Sequence, residues 1–146
     1  MKLMFYYCAQ VLRFFLVGYY RFRGIEIGKN TMVSFGAKLD THRGKILIGN
    51  NCLITHGVKI LSHDGAMRLI DSSDNGNGIV RIGNNVFVGV NSIILRNITI
   101  GDNVVIAAGS VVNKDVPSNT LVAGNPARII KELKGPFPIL NDRKKY

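Results

Sequence analysis

Acidic residues and cysteines are scarce in this sequence. Its 146 residues hold 9 Asp and Glu against 19 Lys and Arg, for a formal charge of +10. The two cysteines, Cys8 and Cys52, are too few for a disulfide framework and read as reduced thiols of a cytoplasmic protein. There is no C-x-x-C and no clustered Cys/His set, so no metal site is expected. No nucleic-acid-binding motif occurs, and no stripe of aromatics interleaves with the basic residues, which argues against nucleic acid as a partner. Apolar residues make up 47%, enough to build the core of one domain, which excludes wholesale disorder.

The positive charge gathers at the two ends. Residues 1–24 carry Lys2, Arg13, Arg21 and Arg23 with no acid, and residues 128–146 set six basic residues against Glu132 and Asp142. Such ends suit a polyanionic small molecule or a membrane surface, or simply solvate the protein. The first twenty residues are apolar and aromatic, but Gln10 and Arg13 interrupt them and no small-residue cleavage site follows. Neither a cleaved signal peptide nor a full membrane span is therefore expected. Two readings stay open for residues 1–24. One is a helix packed on the domain or on a neighbouring subunit; the other is a helix in peripheral contact with the inner membrane face.

What the chain does have is a repeat. From Ile82, every sixth residue is a branched aliphatic: Val88, Ile94, Ile100, Ile106 and Val112. The same step joins Ile27, Val33 and Leu39, and again Ile48, Ile54 and Ile60. A period of six fits neither the 3.6 of a helix nor a hairpin alternation. It fits short strands joined by tight turns, each sending one aliphatic side chain into a shared core. Three such strands make a triangular coil, and coils stack at strand spacing. Asn and Gly recur at the corners, as in Gly83-Asn84-Asn85, where turn and left-handed backbone angles are needed. The step breaks between Ile48 and Ile82, and the excess lies in loop 62–80, rich in Gly, Asp, Ser and Asn. A loop that long leaving a regular stack points to function. A smaller insertion, holding His42, lies between Leu39 and Ile48. After Val112 the repeat degrades, and ARIIKELK predicts a short C-terminal helix capping the core.

The segments ITHGVKILSHDG, IAAGSVVNKDVP and AGNPARII, in this order and spacing, resemble the hexapeptide-repeat acyltransferases, closest to the galactoside, maltose and polysaccharide O-acetyltransferases. The resemblance covers about residues 25–133. It implies an all-β left-handed parallel β-helix, here with an N-terminal apolar helix at 1–24 and a basic tail at 134–146. It also implies a homotrimer with active sites between subunits, and acetyl-CoA as cosubstrate. The implied reaction moves an acetyl group to a hydroxyl of a sugar-type acceptor.

Such a transfer needs a base for the hydroxyl proton and donors for the thioester oxyanion. Histidine titrates near neutrality and suits the first task. His63 opens the long loop where the family's catalytic histidine stands, which makes it the expected base. His56, one strand earlier, is expected to contact the acceptor or to be structural, and Asp64 to contact the acceptor or build an Asx turn. The resemblance carries over backbone groups of Val90 and Ala108, with Asn113, to the pantetheine arm, and Arg128 and Lys131 to the phosphates of CoA. Phe87 would pack near the thioester. Two alternatives stand beside this reading: a serine or amino-sugar acetyltransferase of the same fold, and a zinc enzyme of the γ-carbonic anhydrase type. The histidine separations do not resemble the latter.

Overall fold

The computed structural model describes residues 2–40 and 42–135. The expected basic tail at 134–146 thus lies almost wholly outside the described residues. Helix α1 (Lys2–Phe22) comes first. The first coil follows as β1 (Glu26–Ile27), β2 (Met32–Val33) and β3 (Lys38–Leu39), and the second as β4 (Lys45–Ile48), β5 (Leu53–Ile54) and β6 (Lys59–Ile60). The long loop then carries a single helical turn, α2 (Met67–Ile70). The third coil is β7 (Ile79–Ile82), β8 (Phe87–Val88) and β9 (Ile93–Ile94), and the fourth is β10 (Thr99–Ile100), β11 (Val105–Ile106) and β12 (Val111–Val112). Strands β13 (Thr120–Ala123) and β14 (Arg128–Glu132) follow.

Each third strand stacks on the one before it, giving three faces: β1-β4-β7-β10, β2-β5-β8-β11-β13-β14 and β3-β6-β9-β12. All pairings are parallel except β13 with β14. Register follows the aliphatic step: Ile48 pairs with Ile82, so the whole excess between them is loop. Inside the triangle lie Val33, Ile54, Val88, Ile94 and Ile106, all fully buried. A second buried position precedes each aliphatic by two residues, at Ile25, Ile46, Val58, Val80, Val86, Ile98 and Val104. Thr31, Cys52, Ser92 and Ser110 occupy the same inner position. The polar ones satisfy themselves on backbone: Ser110 Oγ donates to Ala107 O at 2.6 Å and Thr31 Oγ1 to Gly49 O at 2.6 Å.

The corners explain the asparagines. Asn30, Asn51, Asn85, Asn91, Asn97, Asn103 and Asn119 have φ between 55° and 60°, each three residues past its inward aliphatic. Asn tolerates this left-handed region better than other residues with a Cβ. Their neighbours also tie coil to coil, as Asn84 Nδ2 donates to Asp102 Oδ1 at 3.1 Å.

The expected C-terminal helix is absent. Residues 128–132 form β14, antiparallel to β13, with Ala123 opposite Arg128 and Leu121 opposite Lys131. Strand β13 would otherwise be the open edge of its face, and the returning chain pairs those backbone groups. That outweighs the helical look of ARIIKELK. At the other end, α1 packs Val17 and Tyr20 against the first coil, and the Tyr20 hydroxyl donates to Ala37 O at 2.9 Å.

Candidate active site

Two corners of the triangle carry the candidate residues, on opposite sides of the β3-β6-β9-β12 face. At the corner leaving that face, Leu39, Ile60, Ile94 and Val112 stand in one register column. The next residues, Asp40, Leu61, Leu95 and Asn113, therefore stack as well. Asn113 is exposed there, two coils beyond the exit of the long loop.

The loop leaves this corner through Ser62 and His63. Its two legs pair: His63 bridges Asn77 antiparallel, and Gly78 N donates to Ser62 O at 2.8 Å. The loop is tied to the third coil by Arg96, which pairs with the Asp74 carboxylate and also donates to Asn77 O at 3.2 Å. That pairing and the Gly76 amide hold the Asp74 carboxyl below its ordinary value. Asp64 Oδ1 accepts the Ala66 amide at 2.8 Å, so this side chain builds an Asx turn at the loop's start.

Asp40 is the residue that sequence reasoning missed. Its Oδ2 is hydrogen-bonded to His63 Nδ1 and accepts from Ser62 N at 3.2 Å and Ser62 Oγ at 3.0 Å. Its Oδ1 accepts the His42 amide at 3.0 Å. The Asp40 side chain is 6% exposed, and that of His63 is 44% exposed. Burial alone would raise the Asp40 carboxyl, but the hydrogen bonds from His63, the His42 amide and Ser62 outweigh it and hold it below 3.8. A carboxylate can only accept, so Nδ1 is the nitrogen that donates to Asp40, which leaves Nε2 as the ring nitrogen not held by this pair. A signal for this pair was present: the spacing of Leu39 and Ile60 already puts Asp40 beside Leu61, one residue from Ser62. His42 itself is exposed, in the inserted turn.

The opposite corner holds a second column: Phe35, His56, Val90 and Ala108, each two residues past a paired aliphatic. His56 is exposed and its Nδ1 lies 2.6 Å from Phe35 O. Val90 and Ala108 are both exposed. Val90 O already accepts Gly109 N at 2.8 Å, which leaves that carbonyl one further lone pair. Arg128 extends this corner, since it pairs with Ala123 beside Gly124, the next residue in the column. Arg128 and Lys131 are exposed along β14, and Phe87 is half-buried in β8. The structure thus groups His63, Asp64 and Asn113 at one corner and His56, Val90, Ala108 and Arg128 at the other. Among the described residues, no three His, Cys, Asp or Glu side chains gather closely enough to hold a metal ion.

Residues 79–114 match a family model described as bacterial transferase hexapeptide (six repeats). The chain is 48% identical over 67 residues to the galactoside O-acetyltransferase of Escherichia coli K12, covering 46% of this chain and 30% of that protein. It is 53% identical over 110 residues to Protein CapG of Staphylococcus aureus, covering 75% of this chain and 54% of the relative. Among solved structures, it superposes on a hexapeptide-repeat acetyltransferase of Vibrio cholerae complexed with acetyl coenzyme A. That match has a TM-score of 0.67 and 34% identity, covering 76% of this chain and 61% of the other. The chain therefore spans 30% to 61% of the length of these relatives. Three parallel faces and the hexapeptide match together fit a left-handed β-helix.

Proposed function

We propose that this chain, a carrier of the bacterial-transferase hexapeptide repeat, is an O-acetyltransferase. It would move an acetyl group from acetyl-CoA to a hydroxyl of a sugar or polysaccharide precursor. The observation that carries the reading is the Asp40–His63 pair: a half-exposed imidazole at the mouth of the loop, its Nδ1 held by a buried carboxylate.

His63 Nε2 takes the acceptor hydroxyl proton as the oxygen attacks the thioester carbonyl. The tetrahedral intermediate collapses, the new ester C–O bond remains and the C–S bond breaks. The imidazolium returns its proton to the departing CoA thiolate, so His63 ends as it began. Asp40 is a positioning residue that fixes the tautomer and steadies the imidazolium. CoA lies along the Val90–Ala108 corner, its pantetheine amides meeting backbone groups there and Asn113 of the adjoining copy. Its phosphates lie toward Arg128 and Lys131 at the end of the stack.

The base and the CoA track sit at different corners, so one chain does not bring them together. A homotrimer does, with His63 of one copy facing the Val90–Ala108 column of the next; this rests on the fold's resemblance and the corner geometry. Similarity to a galactoside O-acetyltransferase supports a sugar hydroxyl, rather than an amine, as the acceptor in this reading. The test is a panel of sugars, nucleotide sugars, serine and amino sugars incubated with acetyl-CoA, following thiol release and product mass. Acceptor-dependent thiol release with sugars supports the reading. Transfer to amines alone would move it to the N-acetyl alternative, and none with any acceptor would overturn it.

A further inference from the structure

Helix α1 shows two unlike faces. Val17 and Tyr20 lock one against the first coil. On the other, Val11, Leu12, Phe14, Phe15, Tyr19 and Phe22 are exposed, Phe14 to 75% and Phe22 to 89%. At 100° per residue these six fall within one arc less than half the helix circumference, and no charged residue interrupts it. An unbroken aromatic stripe of this kind on a small protein has a partner.

Beside the stripe, between α1 and the first coil, lies a cavity of about 540 Å³. Its ionisable lining is Arg13, Arg21 and Lys29, with no acid. Arg21 is spoken for, donating to Ile27 O at 2.7 Å and Gly28 O at 3.1 Å. Arg13 is not: its Nε is buried without a hydrogen-bond acceptor among the described residues. A buried guanidinium nitrogen left unpaired costs stability, and an anionic oxygen would satisfy it. Phe14 lines this cavity as well as the stripe, so the apolar arc runs directly into the basic pocket.

We infer that α1 docks this chain on an anionic lipid surface, its aromatic arc among the acyl chains and a lipid phosphate in the Arg13–Lys29 cavity. The helix lies in the interface: no helix among the described residues is long and apolar enough to cross a membrane. Charge selects lipid over a second copy. Residues 1–24 hold four basic residues and no acid, so two such helices repel where an anionic surface attracts.

The test is co-sedimentation of the full chain with phosphatidylcholine vesicles, with and without phosphatidylglycerol. Wild type should pellet with the mixed vesicles. Phe15→Ser with Phe22→Ser, both at exposed positions, should weaken binding tenfold or more. Arg13→Gln with Lys29→Gln should lose roughly tenfold on mixed vesicles and little on pure phosphatidylcholine. Thermal melts establish that each variant is folded, and both should retain thiol release from acetyl-CoA. Wild type remaining in the supernatant would overturn the inference. So would a self-association that the double Phe variant abolishes in the absence of lipid, since that would assign the face to a second copy.

Discussion

Asp40 Oδ2 meets His63 Nδ1 although 23 positions separate them, because an inserted turn in the first coil sits directly under the exit of the long loop. Three groups converge on this one carboxylate: the imidazole, Ser62 and the His42 amide. Asp40→Asn keeps the shape but can present an NH₂ to Nδ1, which favours the wrong tautomer. The expected loss is roughly 10²-fold in kcat, with KM for acetyl-CoA little changed. A purely structural role for Asp40 would instead lower Tm and leave the kcat of the folded fraction intact.

The same carboxyl makes a prediction about acid. Its folded value lies below the ordinary 3.8, so in that window the unfolded chain binds more protons than the folded one. The stabilisation is complete above 3.8 and is lost as pH falls through the lower folded value. Melting temperature measured against pH should therefore drop more steeply below pH 3.8 in wild type than in Asp40→Asn. Parallel curves would remove Asp40 from the acid transition.

His63→Ala should lower kcat by roughly 10²–10⁴-fold, the usual worth of a general base. Stability should fall only modestly, since the ring is half exposed and the main loss is its hydrogen bond to Asp40, which keeps Ser62 and the His42 amide. His56→Ala is the control, expected to cost far less in rate. If His56→Ala abolished turnover and His63→Ala did not, the base would be at the other corner.

Most of the fold was legible because one residue in six is a branched aliphatic and the coil needs one there. The breaks in that step located both the inserted turn and the long loop. The second inner position was not legible, since Thr31, Cys52, Ser92 and Ser110 interrupt it and its hydrophobic signal fades. Strand β14 was misread as helix because local pattern carries no trace of an unpaired sheet edge elsewhere. Of the site, His63 was visible through its motif. Asp40 was passed over although the spacing of Leu39 and Ile60 stacks it beside Leu61, because a lone acid before an insertion looks like any turn residue. The division of the candidates between two corners needed the register of every strand.

Arg128 and Lys131 test the CoA track without touching the chemistry. Both are exposed on β14, so each contact is screened and worth only a modest amount. Replacing both by Ala should raise KM for acetyl-CoA roughly fivefold to twentyfold, leave kcat near wild type, and flatten the dependence of KM on salt. An unchanged KM would return these residues to a solvated edge strand.

Mixing two dead variants tests the shared site most directly. His63→Ala removes the base at one corner, and Ala108→Trp blocks the opposite corner where the arm of CoA would lie. In a trimer whose sites join His63 of one copy to the 108 corner of the next, neither variant alone turns over. Sedimentation should give about three times the 16.1 kDa chain mass for each. After joint unfolding and refolding, an interface that joins His63 of an Ala108→Trp copy to Ala108 of a His63→Ala copy is intact. Random assortment makes about one interface in four of this kind, so about a quarter of wild-type activity should return. If both corners served one site within a single chain, every copy in the mixture would still carry a lesion, and no activity would return at any ratio.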